Sequence, residues 1–414
     1  MASGVVTPDQ VSLGVLVSSV PRDVIDAAVA AHGVGVKRSG GTLPPHVVAY
    51  LTMALCLFPA DDYEEVAAKV TGALSRFGCW DASWEVPTSS GITQARKRLG
   101  PAVMADVFEG VAQAVATWDT RGAWLRGWRL LAIDGFDVDL EDTPGNVERF
   151  GYAGSGANRS AYPKARVLAL AECGTHAFVA AEVDAWAVGE KTLANRLYPR
   201  LRPDELLTAD RNFYSWGAWA LASRTRAALL WRAPTQLDLP VVRVLDDSTY
   251  LTVLINPKIR GGRRQRLLAA AYAGHDIDPE DAHLARVVEY DVPDRAGNGT
   301  GEVIVLLTTI TDPADARADE LADAYHQRWE EETGNDQLKT HLRGPGRVLR
   351  SRLPDLAVQE IWAWLTVHYA MAALIARAAE AADLDPDRIS FSRALRIVRR
   401  TATGTAPIPP SGLG

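Results

Sequence analysis

Tyr325-His326-Gln327-Arg328-Trp329-Glu330-Glu331-Glu332, continuing through Gly334 to Lys339, is the stretch around which this chain is organised. Arg328, Glu332 and Lys339 follow Tyr325 at offsets of three, seven and fourteen residues. At about 100° per residue the four fall within roughly 60° of one another on a helix, spread along ~21 Å of axis. One helix face would then carry a phenol, a guanidinium, a carboxylate and an ammonium in a row. A carboxylate between two cations suits a site that handles a phosphodiester backbone, the carboxylate for a metal and the cations for flanking phosphates. On pattern alone, a solvated helix face with Arg-to-Glu pairing at i,i+4 is the simpler reading. Gly334 also costs a continuous helix about 1 kcal/mol relative to Ala.

Composition narrows the class. With 414 residues, 47% hydrophobic and 23% charged, the chain is globular and long enough for about two or three domains. A net charge of −7 argues weakly against a nucleic-acid partner, but total charge says little about a local groove. Cys56, Cys79 and Cys173 are odd in number, widely spaced and form no CxxC, which fits a reducing cytoplasm and neither a disulfide framework nor a zinc site. The N-terminus lacks a basic-then-apolar signal pattern. The longest apolar run, Val47 to Ala60, is too short to span a membrane. A cytoplasmic protein without a membrane partner is expected.

Residues 1–125 read as helical. Pro21 opens a helix through Ala31, Pro44 and Pro45 a second through Phe58, and Tyr63 to Phe77 forms a third. Trp80 and Trp84 are expected to close the core. Thr88-Ser89-Ser90 caps a helix from Ile92 to Leu99, and Pro101 starts another to about Trp118. Arg96, Lys97 and Arg98 fit either the second helix of a helix-turn-helix or a solvated helix end whose cations the dipole favours.

From Trp128 the periodicity changes. Strands are expected at Trp128 to Ile133, ending at Asp134, then at Ala165 to Ala171 and His176 to Val183. Helix Gly189 to Tyr198, strand Glu205 to Thr208 ending at Asp210, helix Tyr214 to Arg224 and strand Ala227 to Trp231 follow. Antiparallel strands and then strand–helix alternation suit a mixed α/β sheet covered on both faces. Residues 234–301 are β-rich, with strands at Val241 to Leu245, Tyr250 to Ile255 and Arg286 to Tyr290, then Glu302 to Thr308. Lys258 to Arg266 and Asp291 to Thr300 look like exposed loops. Helices are expected at Ala314 to Thr340, Leu356 to Ala379 and Phe391 to Arg400, before a Pro/Gly-rich end.

Tyr325-x2-Arg328-x3-Glu332-x6-Lys339 resembles, without a gap, the Y-R-E-K pattern of DDE transposases of the insertion element four family. Leu130-Leu131-Ala132-Ile133-Asp134-Gly135, with Asp142-Thr143-Pro144-x-Asn146 and Phe150-Gly151, looks like that family's first-Asp block. Leu206-Leu207-Thr208-Ala209-Asp210-Arg211-Asn212-Phe213 looks like its second. The likeness covers nearly the whole chain, including a helical N-terminal domain. It implies an all-α domain at 1–125, a ribonuclease-H-like mixed-sheet catalytic core at 126–378 interrupted by a β insertion at about 234–301, and a C-terminal helix and tail at 379–414.

The resemblance also implies an enzyme that cleaves DNA at transposon ends and joins the freed 3′-hydroxyl to target DNA. Two divalent ions about 3.5–4 Å apart can activate the nucleophile and neutralise the leaving oxygen, and Mg²⁺, or Mn²⁺ in its place, takes carboxylate oxygens. Asp134, Asp210 and Glu332 are the implied metal ligands and catalytic carboxylates. Asp137, Asp139, Glu141 and Asp142 are rivals to Asp134, helix capping is the plain reading of Asp210, and Glu330 and Glu331 flank Glu332. Tyr325, Arg328 and Lys339, with Arg343 and Arg347 from the basic cluster that follows, are expected to contact DNA phosphates. Among the insertion aromatics Tyr250, Tyr272 and Tyr290, the strand-borne Tyr290 is the preferred stacking partner for a displaced base. Double-stranded DNA and a second copy of the chain in a synaptic homodimer are the implied partners, with action at the bacterial nucleoid. A catalytically silent DNA-binding repressor, or a domesticated derivative, is the alternative. No phosphate-binding GxxxxGK[ST] motif or dinucleotide GxGxxG is present.

Overall fold

A computed structural model describes residues 18–34, 43–75, 86–292, 302–344 and 346–403, without the side chains of 71–75, 302 and 329–332. Trp80, Trp84, most of the Asp291 to Thr300 loop and the end from Gly404 lie outside the described residues.

Helices α1 (Arg22–Ala31), α2 (Pro45–Leu57), α3 (Tyr63–Ser75) and α4 (Ser89–Val111) begin the chain. Gly100, at φ 79° and ψ 163°, interrupts α4 ahead of Pro101, which lacks the donor to continue the first half. The second half stops at Val111 rather than Trp118; the latter is 70% exposed and stacks on Trp124 at 3.9 Å.

The strands β1 (Trp124–Leu125), β2 (Trp128–Asp139), β3 (Lys164–Glu172), β4 (Ala177–Ala185), β5 (Glu205–Ala209) and β6 (Ala228–Arg232) follow, with α5 (Pro144–Phe150), α6 (Glu190–Leu197) and α7 (Trp216–Ser223) between them. Next come β7 (Arg243–Val244), β8 (Tyr250–Ile255), α8 (Gly261–Tyr272), β9 (Ala282–Val292) and β10 (Glu302–Thr308). The sheet order is β4-β3-β2-β5-β6-β10-β9-β8-β7, with β1 on β2. β5 runs parallel to β2 and β6, and the other pairs are antiparallel.

One expectation about residues 234–301 changes. The β-rich segment continues the sheet of β2–β6, because β10 pairs with β6 (Leu307 opposite Trp231) and carries it outward. Lys258 to Arg266 is not a loop throughout, because α8 starts at Gly261. Its Leu267, Leu268 and Ala271 recur at helical spacing and pack on Val253, Ile255 and Ile259.

Helices α9 (Ala318–His326), α10 (Trp329–Asp336), a π-helical turn at Gln337–Leu342, α11 (Pro354–Ala381) and α12 (Phe391–Ala402) complete the chain. Among the described helices α11 alone is long and apolar enough to cross a membrane, yet 78% of its apolar window is buried. It packs against α2, α4 and β4, so α1–α4, α11, α12 and one face of β2–β4 share a single apolar core.

Candidate active site

β2 does not stop at Asp134. It continues to Asp139, and every residue from Leu131 to Asp139 has a partner on β3. The continuation alternates: Phe136 and Val138 enter the core, while Asp137 and Asp139 meet β3 cations on their own face. Arg166 reaches Asp137 at 3.3 Å and Lys164 reaches Asp139 at 2.6 Å. Asp142 accepts from the Tyr152 hydroxyl at 2.6 Å. Three of the four rivals thus have cross-strand or hydroxyl partners. Asp134 instead accepts from the Asn335 side-chain amide at 3.3 Å.

Asp210 is placed by register. Ala132 pairs with Thr208 across the parallel β2 and β5, and Asp134 and Asp210 each lie two residues further on. Adjacent strands sit about 4.8 Å apart, so both carboxylates emerge at one level. The capping reading of Asp210 also holds, since its side chain accepts from the Arg211 N–H at 2.7 Å.

The single helix expected over Ala314 to Thr340 is divided. α9 ends at His326, α10 starts at Trp329, and bonding switches to the π pattern at Gln337. Gln327 and Arg328 keep right-handed helical dihedrals, so the path continues while the phase drifts from ideal 3.6-residue spacing. Arg328 and Lys339 nevertheless lie close enough to Asp134, and Tyr325 close enough to Asp210, for their charges to act on one another. Glu332 lies within α10, which packs on β2 and β3.

Burial raises the Asp134 carboxyl above its usual range; the Gly135 N–H and the charges of Arg328 and Lys339 oppose this, and Asp210 adds to it. Burial likewise raises the Tyr325 hydroxyl, countered by Arg328 and reinforced by Asp210. The Arg328 guanidinium lies 5.8 Å from the Tyr325 ring centre, and the Lys339 ammonium 5.6 Å from that of Phe136. Tyr325 is only 3% exposed, so its ring belongs to the core and only its hydroxyl is left for polar contact.

Glu190, at the start of α6, was not anticipated. Burial raises its carboxyl, Arg166 opposes, and Asp134 and Asp137 add to the rise. A Cβ on Gly135 would lie 3.2 Å from the Glu190 carboxylate, so glycine leaves room for this fourth acid. No motif marks Glu190; only the packing of α6 over the sheet brings it there. Among the described residues, no group of three or more His, Cys, Asp or Glu side chains is placed to hold a metal ion.

The basic footprint needs correction. Arg343 is 6% exposed, with burial lowering its pKa and Asp139 and Glu360 opposing, so it does not present a guanidinium to DNA. Arg347 is exposed, but it donates to the Pro59 carbonyl at 2.6 Å. Arg96 is fully buried and donates to Gln359, Tyr63, Ser351 and the Leu356 carbonyl, which removes it from any recognition-helix role. Of the insertion aromatics, Tyr290 is half-buried with an edge-on contact to His326 at 5.7 Å, Tyr250 donates to Glu289, and Tyr272 is 56% exposed.

Residues 10–109 match the insertion element 4 transposase N-terminal family. The transposase InsG for insertion sequence element IS4, from Escherichia coli K12, is 29% identical over 330 residues, which is 77% of this chain and 69% of that protein. These two matches support an insertion element 4 family transposase. Relatedness beyond residue 109 follows from the InsG alignment, which is too long to rest on the N-terminal match alone. A cryo-EM structure of the piggyBac transposase synaptic complex with hairpin DNA aligns with a TM-score of 0.46 and 10% identity, covering 97% of this chain and 80% of that one. That likeness is too distant to carry an argument.

Proposed function

We propose that this chain is a DDE transposase of the insertion element 4 family that cleaves DNA at transposon ends and joins the 3′-hydroxyl to target DNA. The observation that carries the reading is the shared level of Asp134 and Asp210 on neighbouring parallel strands, with the α10 segment bearing Glu332 packed on the same sheet. The order β4-β3-β2-β5-β6, three antiparallel strands followed by two parallel ones, supports a ribonuclease-H-like core within residues 126–378. The strands of 234–301 would then be an insertion that widens the sheet, and residues 1–125 the helical N-terminal part.

Asp134, Asp210 and Glu332 would hold Mg²⁺, or Mn²⁺ in its place. The donor set fits a hard cation: Asp134 and Asp210 supply oxygens only, and the mutual repulsion of these neighbouring carboxylates is what a bound cation relieves. When bound, two such ions supply Lewis-acid activation of the attacking oxygen and charge neutralisation at the leaving oxygen. The chain's own cations do the positioning. Arg328 and Lys339 flank the carboxylates and would hold phosphates on either side of the cleaved bond. Buried Tyr325 orders Arg328 beside it. Double-stranded DNA is the substrate, and a homodimer would hold two transposon ends.

Incubating the protein with Mg²⁺ and a duplex carrying the transposon ends, then resolving strands on a denaturing gel, tests this reading. Cleavage is expected from the native chain and lost in Asp134→Asn and Asp210→Asn, with DNA binding retained. Cleavage by both variants at the native rate would overturn it.

A further inference from the structure

Asn335 is a polar side chain in a place where polarity is costly. It is 2% exposed, preceded by the buried Gly334 and followed closely by the π turn that carries Lys339. Its Nδ2 donates to Oδ2 of Asp134 at 3.3 Å, while its Oδ1 is buried without a hydrogen-bond partner among the described residues. An unmet buried acceptor costs about 1–3 kcal/mol. An apolar residue of similar size would avoid that cost, so packing does not account for the amide.

We propose that Asn335 is a positioning residue for Asp134, fixing one carboxylate oxygen so that the other is presented to a divalent cation; this rests on the metal-dependent reading above. The chemistry favours an amide. A Lys or Arg at this place would form an ion pair and compete with the cation for the carboxylate. A carboxamide N–H orients the group and leaves its charge available. Outer partners of ligating carboxylates act in this way, and their removal typically costs about 10–100-fold in metal affinity or activity. Asn335 sits one turn beyond Glu332 on α10, so the same hydrogen bond ties the helix bearing the third carboxylate to the strand bearing the first. Docking of α10 and orientation of Asp134 therefore occur together.

Mn²⁺ binding to the full-length, DNA-free protein, followed by electron paramagnetic resonance, separates this role from a structural one. Asn335→Ala and Asn335→Leu, the latter keeping the branching and heavy-atom count of the side chain, are each expected to bind Mn²⁺ about tenfold or more weakly. Asn335→Leu should melt no lower than the native protein, because the unmet acceptor is gone. With saturating metal, both should recover kcat with KM for DNA unchanged. Native Mn²⁺ affinity in both variants, or weakening in Asn335→Ala alone, would overturn the inference, the latter result indicating lost packing. Asp134→Asn and Asp210→Asn run alongside. If they also bind Mn²⁺ normally, the metal site itself is wrong; if they lose it while both Asn335 variants keep it, only the role of Asn335 fails.

Discussion

Arg350 donates from Nη2 to the carbonyl of Leu55 at 3.3 Å, joining parts of the chain nearly three hundred positions apart. The same guanidinium reaches the carbonyls of Phe58 at 3.2 Å and Asp61 at 2.6 Å, and Arg399 takes that of Leu57 at 2.6 Å. The last carbonyls of a helix have no partner within it and carry the negative end of its dipole. Arg350 and Arg399 therefore cap α2, and the segment after Lys339 is fastened to the N-terminal helices.

Arg350→Ala should destabilise the protein by about 3 kcal/mol, since charge-assisted hydrogen bonds contribute about 1.5–3 kcal/mol each and do not add fully. Urea denaturation followed by circular dichroism measures it. A midpoint matching the native chain would show that this cap contributes nothing.

Arg96 makes a stronger case. Its four partners come from α3, α11 and the segment between the π turn and α11, and it is fully buried. Truncation to Ala should cost about 1–3 kcal/mol for each buried acceptor it leaves unpaired. The expected result is loss of the folded fraction at physiological temperature, whereas Lys97→Ala, at an exposed position, should leave the melting curve unchanged.

Salt dependence separates phosphate contacts from structural cations. Arg328→Ala and Lys339→Ala should each flatten the slope of log K against log salt by about one unit. Arg343→Ala should leave it unaltered, since Arg343 is only 6% exposed. A flattened slope for Arg343→Ala would restore it as a DNA contact.

Asp134 should impose a pH dependence on stability in metal-free buffer. Its folded pKa lies above the ordinary 3.8, so the folded chain holds this proton more tightly than the unfolded chain does. Stability is undiminished below the unfolded pKa and falls as pH rises through the folded value. Asp134→Asn, neutral throughout, should therefore melt higher than the native chain at pH 7 in EDTA and match it near about pH 3. Equal melting temperatures at both pH values would contradict the burial of this carboxylate.

The parts of the fold legible in the sequence were those with a local signal. Tyr250–Ile255 and Glu302–Thr308 fall where apolar, β-branched runs placed them, and Asp210 follows β5 as read. The extension of β2 past Asp134 was missed because Asp137 and Asp139 look solvated until β3 supplies Arg166 and Lys164 opposite them. α8 was hidden by Gly261, Gly262 and their neighbouring cations, and its apolar support comes from strands on either side of it in sequence. Of the site, the carboxylates were legible as residues but not as neighbours, which depends on the β2–β5 register. Arg343 was misplaced because a buried cation has the same local sequence as one facing DNA.

Anomalous diffraction from crystals soaked in Mn²⁺ tests the central claim most directly. Two manganese peaks about 3.5–4 Å apart are expected, touched by the carboxylates of Asp134, Asp210 and Glu332. Manganese bound elsewhere on the protein, with no peak in contact with Asp134 or Asp210, would contradict it.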